Sequence, residues 1–177
     1  MLGDTERLEI LLDENQYVQY SIDYARTLTE LEKKLHSCED PSVIAMDALK
    51  AGAAFYEADW CGVIEVDFEM DAWAPVLWHN VASGAMTTTV FKDFEETKNL
   101  DRWVDALYAC EPVIIPDTSV FKESQPEEYA LYERCCAQSV LAVPFWKNPT
   151  GFMIVRNPKR YNTDPYESGL LQALAFV

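Results

Sequence analysis

The chain has 177 residues, 49% of them hydrophobic and 25% charged, with 30 acidic against 14 basic side chains and a formal net charge of −16. That length holds one domain with a sizeable core plus an accessory element, and the apolar fraction excludes a disordered chain. The charge disfavours non-specific nucleic-acid binding, which draws on Lys and Arg to neutralise phosphates, and it disfavours an anionic membrane surface. No run of about 18 apolar residues exists to span a membrane, and the start carries neither a basic region nor a continuous apolar run of the signal-peptide kind. The five cysteines (Cys38, Cys61, Cys110, Cys135 and Cys136) are odd in number and form no CxxC, so a reduced, cytoplasmic thiol set is expected rather than a disulfide framework.

Residues 5–37 contain no Pro or Gly and read as one long helix. Leu8, Leu11, Val18, Ile22, Ala25, Leu28, Leu31 and Leu35 recur mostly at spacings of three, four or seven, a coiled-coil-like stripe with one break near Asn15. Such a helix cannot bury its stripe on one small domain, so a partner helix from a second copy is expected. Asp40–Pro41 supplies an N-cap and a first helical Pro for the helix PSVIAMDALKAGAAFYEA. Period-two alternation from Cys61 to Phe68 predicts a strand; EMDA is a turn, and WAPVLWHN a second strand in which Pro75 denies part of the ladder a donor. AMTTTVF, residues 85–91, predicts a third strand.

NLDRWVDALYAC reads as an amphipathic helix with Leu100, Trp103, Val104, Leu107 and Tyr108 on one face and Asn99 as its cap. EPVIIPD predicts a short strand between prolines. Ser124 with Glu127 reads as a capping box opening the helix QPEEYALYERCCA. SVLAVPFW and GFMIVRN predict two apolar strands joined by the breaker-rich KNPT, and Asp164 with Glu167 caps a last helix, PYESGLLQALAFV. That helix stops on bare apolar residues with no C-cap, so it is expected to run on into a further domain.

This order of elements predicts an α+β plan with one antiparallel sheet. The text resembles the GAF family of small-molecule sensor domains, through EADWCGVIEVD, EPVIIPDTS and CAQSVLAVPFWKNPTGFMIVRNP, over about residues 38–177. The resemblance implies six antiparallel strands in the order 3-2-1-6-5-4, flanked by helices, with residues 1–37 as a signalling and dimerisation helix and 38–177 as the sensor domain. It also implies a homodimer through the terminal helices and placement before an output domain, of the diguanylate cyclase or transcription-regulator type, in a bacterial cytoplasmic protein. Bilin-binding members carry a Cys-His pair, but Cys136 is followed by Ala137; the Asn-Lys-Phe-Asp-Glu signature of cyclic-nucleotide binders is absent. The subgroup that reduces free methionine sulfoxide needs a particular cysteine set, which five cysteines leave open.

The stretch from Trp60 to Asn80 holds three of the five tryptophans and several acids. Asp67, Glu69 and Asp71 fall at or near its turn, where acids are solvated. Glu65 falls mid-strand, where a buried acid needs a partner or ligand. Pairing even with even puts Glu65 opposite Pro75, Cys61 opposite His79, and Trp73 and Trp78 on opposite faces. Tryptophans lining a pocket offer stacking and cation–π surfaces, which with Glu65 or Asp117 nearby would suit a cationic or aromatic small molecule. The expected ligand-binding set is Glu65, Trp78, Trp103, Tyr108 and Asp117, between the sheet and residues 81–136. Neither His36 nor His79 has metal-ligand spacing, and no phosphate loop or nucleophile elbow appears. The expected function is therefore a non-catalytic sensor with an unspecified ligand. Its rivals are a thiol-based redox enzyme or sensor using Cys61, Cys110 or the Cys135–Cys136 pair, and a ligand-free dimerisation scaffold. Cys135 and Cys136 themselves read either as a redox pair or as two small apolar residues on a buried helix.

Overall fold

The computed structural model describes residues 4–37, 40–67, 72–82, 100–144 and 151–176. Helix α1 (Asp4–Leu35) runs uninterrupted for 32 residues, about 48 Å at 1.5 Å per residue. Its apolar residues do not form a single stripe. Tyr20 and Leu31 are buried and Tyr24, Leu28 and Leu35 half-buried against the chain's own core, whereas Val18 and Ile22 each remain 55% exposed. Residues 20, 24, 28, 31 and 35 follow one helical face, and 18, 22 and 25 another, so the domain takes one stripe and leaves the second free. Helix α2 (Pro41–Phe55) starts as its sequence dictates, with the Asp40 carboxylate accepting from the Ser42 N–H at 2.9 Å and Pro41 in the first turn.

The sheet comprises β1 (Trp60–Asp67), β2 (Ala72–Asn80), β3 (Val113–Ile115), β4 (Val140–Pro144) and β5 (Gly151–Arg156), all neighbours antiparallel, in the order β2-β1-β5-β4-β3. These are five strands among the described residues, not six. The strand expected at 85–91 lies outside the described residues, and the neighbours expected for the other five are the observed ones. Helices α1, α2 and α6 (Gly169–Leu174) cover one face around Leu49, Tyr56, Cys61 and Met153. Helices α3 (Asp101–Ala109) and α5 (Pro126–Arg134) cover the other, around Trp60, Trp103, Leu107 and Phe152. The alternation of Phe152 and Ile154 with Met153 and Val155 along β5 feeds both cores.

The hairpin corrects the expected register. Cys61 does pair with His79, but the register shifts between Val63 and Ile64, so Ile64 meets Pro75 and Glu65 meets Ala74. Val76 is the extra residue of this bulge, beside the proline that cannot donate to the ladder. One extra residue reverses parity for the remainder of β2. Trp73 and Trp78, expected on opposite faces, are therefore both buried in the α3/α5 core.

The caps differ too. The N-cap of α3 is Leu100, without a side-chain hydrogen bond, and Asn99 lies outside the described residues. Ser124 ends the one-turn helix α4 (Phe121–Ser124), its hydroxyl donating to the Val120 carbonyl at 3.3 Å, so it builds no capping box with Glu127. The Asp164–Glu167 capping box is present, opening a 3-10 turn (Pro165–Ser168) that continues as α6.

Two buried acids fasten α1 to this C-terminal segment. The Glu167 carboxylate is fully buried and accepts from Gln16 of α1 at 2.6 Å and from the N–H groups of Thr163 and Asp164 at 2.8 and 3.0 Å. Asp23 accepts from Arg26 at 2.7 Å, Tyr161 at 2.8 Å and Arg160 at 3.0 Å. Burial alone would raise its carboxyl pKa; hydrogen bonds from Tyr161 and Gln19 and the charges of Arg26 and Arg160 outweigh it and hold the pKa below the ordinary value of 3.8. A depressed folded-state pKa contributes stability above the unfolded value that is lost as pH falls through the folded one. Asp23→Asn is expected to cost about 2 kcal/mol at neutral pH, with the gap from the native chain narrowing below about pH 4, as urea midpoints will measure.

Candidate ligand pocket

The pocket begins with a missing side chain. A Cβ at Gly62 would collide with the Trp60 indole, whose Cζ2 would lie 2.6 Å away, and with Trp78 Cβ at 2.8 Å. Glycine lets the Trp60 ring lie across its own strand. Gly62→Ala is expected to push that ring into the cavity described below, at a cost of about 1–3 kcal/mol, and a changed indole emission spectrum would report the shift.

Between this floor and helices α3 and α5 lies a cavity of about 60 Å³, whose walls include Trp60, Trp73, Trp103, Leu131, Tyr132 and Ile154. Trp103 meets Trp73 edge-on at 6.2 Å and Phe152 edge-on at 5.2 Å between ring centroids, while Trp73 stacks on Phe152 at 5.9 Å. These are favourable arrangements for rings that must stay in place without a ligand. Among the described residues bordering the cavity the charged one is Arg156, and its guanidinium is already engaged, by the Asp59 carboxylate at 2.8 Å and the Cys135 carbonyl at 2.7 Å.

A hydrogen-bonded chain leads out through the wall. The Trp103 indole N–H donates to the Tyr132 hydroxyl at 2.9 Å, and that hydroxyl donates to Glu128 Oε1 at 2.5 Å. Burial first, then the hydrogen bond and charge of Glu128, push the Tyr132 hydroxyl pKa well above its ordinary value, so it stays a donor at any physiological pH. Glu128 is 2% exposed, and its Oε2 is buried without a hydrogen-bond partner among the described residues. Arg102 reaches only Oε1, at 3.9 Å, while its guanidinium lies over the Phe121 ring at 4.0 Å.

Of the residues expected to bind ligand, only Trp103 lines the cavity; Trp78 is buried in the same core without bordering it. Glu65 is exposed, because strand parity turns it away from Ile64 and Val66, whose face carries the pocket. Tyr108 is 70% exposed, since the buried stripe of α3 is no wider than Trp103 and Leu107. Asp117 is exposed and caps the 3-10 turn at Thr118–Val120, accepting from the Ser119 N–H at 2.8 Å; hydrogen bonds with Ser119 hold its pKa down. Tyr132 and Glu128 were not anticipated. The signal was their spacing of four on one helix, which brings an acid and a phenol together.

The cysteines are dispersed in character. Cys61 is fully buried, and burial pushes its thiol pKa far up, away from thiolate chemistry at neutral pH. Cys135 and Cys136 do not share a buried helix: Cys135 follows the last turn of α5, and Cys136 is exposed with φ of +53°. Cys38 lies outside the described residues. The His79 pKa is lowered by burial and then by the charge of Lys50, which keeps the ring neutral near pH 7.

No family model and no curated protein matches the sequence. Solved structures match it in shape. A phycoerythrobilin-bound GAF domain from a cyanobacterial phytochrome superposes with a TM-score of 0.68 at 7% identity, over 88% of this chain and 92% of its own. The GAF domain of an Acinetobacter phosphoenolpyruvate-protein phosphotransferase gives 0.58 at 14% identity, over 85% and 87%. A free methionine-R-sulfoxide reductase from Neisseria meningitidis, in complex with its substrate, gives 0.57 at 16% identity, over 86% and 84%. With its five-strand order, its two helical layers and these superpositions, the chain has the fold of a GAF domain.

Proposed function

We propose that the chain is a non-catalytic sensory domain that binds a small molecule in the tryptophan-walled cavity and passes its occupancy to an output domain through α1 and α6. The observation that carries this reading is the cavity itself, walled by Trp60, Trp73 and Trp103 on one sheet face. Across the sheet, Glu167 and Tyr20 tie α1 to the C-terminal segment, so a ligand that shifts the sheet biases both flanking helices. The sequence resemblance suggests a diguanylate cyclase or a transcription regulator as the output. A melting-temperature screen against small metabolites tests the binding: a concentration-dependent rise of several degrees supports it, and no response across the screen favours a bare dimerisation scaffold. Turnover of free methionine sulfoxide that disappears in Cys136→Ala would replace the sensor by the thiol enzyme.

The partner in this reading is a second copy, joined through α1. Counted as heptads, Leu8, Asn15, Ile22 and Thr29 take the a positions, and Leu11, Val18 and Ala25 the d positions. From Asn15 onward these positions are exposed, while the opposite face packs on the domain. An Asn at one a position is the device by which two parallel helices fix their register. Ile22→Lys is expected to convert a dimer to a monomer at micromolar concentration in sedimentation equilibrium, with the melting of the domain itself little changed. A monomeric native chain would remove this part of the reading.

A further inference from the structure

We infer that the cleft between the N-terminal ends of α3 and α5 binds a small organic cation through a primary ammonium group. This cleft is separate from the tryptophan-walled cavity, and the inference stands whether or not that cavity holds a ligand. Its space is about 340 Å³, bordered by Asp101, Arg102, Ser124, Gln125, Glu127 and Glu128. Such a volume lies at the lower end of small-molecule sites. The sequence supplies the charge: Asp101 opens α3, and Glu127 and Glu128 stand in the first turn of α5.

The charges there do not balance. Among the described residues bordering the cleft, three carboxylates face one guanidinium. Each helix N-terminus carries roughly half a positive charge, so the two together offset about one carboxylate, and Arg102 offsets a second. About one negative charge is left over, and Glu128 is the costliest place for it. That side chain is 2% exposed; Oε1 is turned to the Tyr132 hydroxyl, and Oε2 is buried without a hydrogen-bond partner among the described residues. Arg102 does not repair this. Its guanidinium lies over the Phe121 ring at 4.0 Å and reaches Gln125 at 3.4 Å, while its Nε stays 3.9 Å from Oε1. A buried carboxylate so incompletely served is costly unless a further donor or charge arrives. Acids at helix starts are common; the buried, unserved oxygen is what calls for a ligand.

The donors needed narrow the class. A primary ammonium carries N–H groups enough for Oε2 and for Asp101 at the rim, whereas a tetraalkylammonium has none to give. No group of three or more His, Cys, Asp or Glu side chains among the described residues is arranged to hold a metal ion, so these acids suit a hydrogen-bonding cation better than a divalent metal. Rotation of side chains at the rim, common on binding, brings Oε2 to the ligand. The site also has a reporter. The Trp103 indole N–H donates to the Tyr132 hydroxyl, which donates to Glu128, so neutralising the carboxylate weakens the pull along both bonds.

The experiment titrates the full chain with propylammonium, tetramethylammonium and 1-propanol at constant ionic strength, following the Trp103 indole N–H by heteronuclear NMR. Propylammonium is expected to shift that resonance saturably and to bind at least about 10-fold more tightly than tetramethylammonium, the difference a hydrogen bond to a carboxylate makes. The neutral alcohol is expected to leave it in place. Glu128→Gln, which keeps an oxygen for Tyr132, is expected to weaken propylammonium about 10- to 100-fold. Arg102→Gln leaves the buried acid alone and is expected to tighten binding about two- to five-fold by removing the competing charge, a gain that a structural role does not produce. Equal affinity for the two cations, or undiminished binding by Glu128→Gln, would overturn the inference by reducing it to general attraction toward a chain of net charge −16. So would the lack of any saturable shift by about 50 mM propylammonium, since contacts of this kind give tighter binding. Should Glu128→Gln fail to fold, the two cations and Arg102→Gln decide. A melting screen that finds no ligand for the tryptophan-walled cavity leaves each of these outcomes as it stands.

Discussion

Glu167→Ala is expected to lower stability by about 3 kcal/mol and the melting temperature by about 6–12 °C, and to loosen α1 before anything else unfolds. The carboxylate is the meeting point of three segments. Oε1 receives Gln16 of α1 at 2.6 Å, and Oε2 receives the Thr163 and Asp164 N–H groups and, at 3.2 Å, the Thr163 hydroxyl. Hydrogen bonds to a charged acceptor are worth more than neutral ones, and removing the acceptor strands several donors together. Around it, the Tyr56 hydroxyl donates to the Glu167 carbonyl at 2.7 Å, and the Tyr20 hydroxyl, its pKa pushed up to about 12 chiefly by burial, accepts the Leu170 N–H at 3.1 Å. Gln16→Ala removes only the link to α1 and is expected to cost about 1 kcal/mol. Hydrogen exchange separates the two: Glu167→Ala accelerates α1 and residues 163–171 together, Gln16→Ala accelerates α1 alone. If Glu167→Ala leaves α1 as protected as in the native chain, the acid is not the joint between α1 and the rest of the domain.

Most of the scaffold is legible in the sequence because its signals are local. Asp40–Pro41 and the Asp164–Glu167 box start their helices as the residue types require, and period-two text in β1 and the apolar run after a breaker-rich turn in β5 give both strands. What misleads is the long-range parity of the site. The bulge between Val63 and Ile64 is invisible in a count of alternating residues, yet it brings Trp73 and Trp78 to one face, while the plain alternation of β1 turns Glu65 away from the pocket. Tyr108 and Asp117 lie outside the cavity lining for a different reason: an apolar stripe gives a helix's direction but not the width its neighbours will cover, and the Asp117 carboxylate caps a local turn. Glu128, near the start of a helix in an acid-rich run, looks like an ordinary solvated carboxylate. Only the packing of Tyr132 and Trp103 over it reveals otherwise.

The largest expected effect falls on Trp103. Its removal as Trp103→Ala deletes the edge contacts with Trp73 and Phe152 and the 2.9 Å hydrogen bond to Tyr132, and it joins the volume of an indole to the existing cavity. Truncating a buried Trp costs about 3–5 kcal/mol, equivalent to a melting temperature lower by roughly 6–20 °C in a chain of this size. The loss is also partly reversible by chemistry. Free indole has the shape that was deleted and an N–H that can reach the Tyr132 hydroxyl, and a ligand that binds only the folded state restores stability by mass action. Indole at saturating concentration is therefore expected to raise the melting temperature of Trp103→Ala by several degrees while leaving the native chain, whose smaller cavity cannot admit it, unchanged. A variant that melts low and ignores indole would mean that α3 collapses onto the sheet when Trp103 is gone. In that case the space beside it exists only because the tryptophan props it open, and a ligand there would have to displace that ring rather than rest against it.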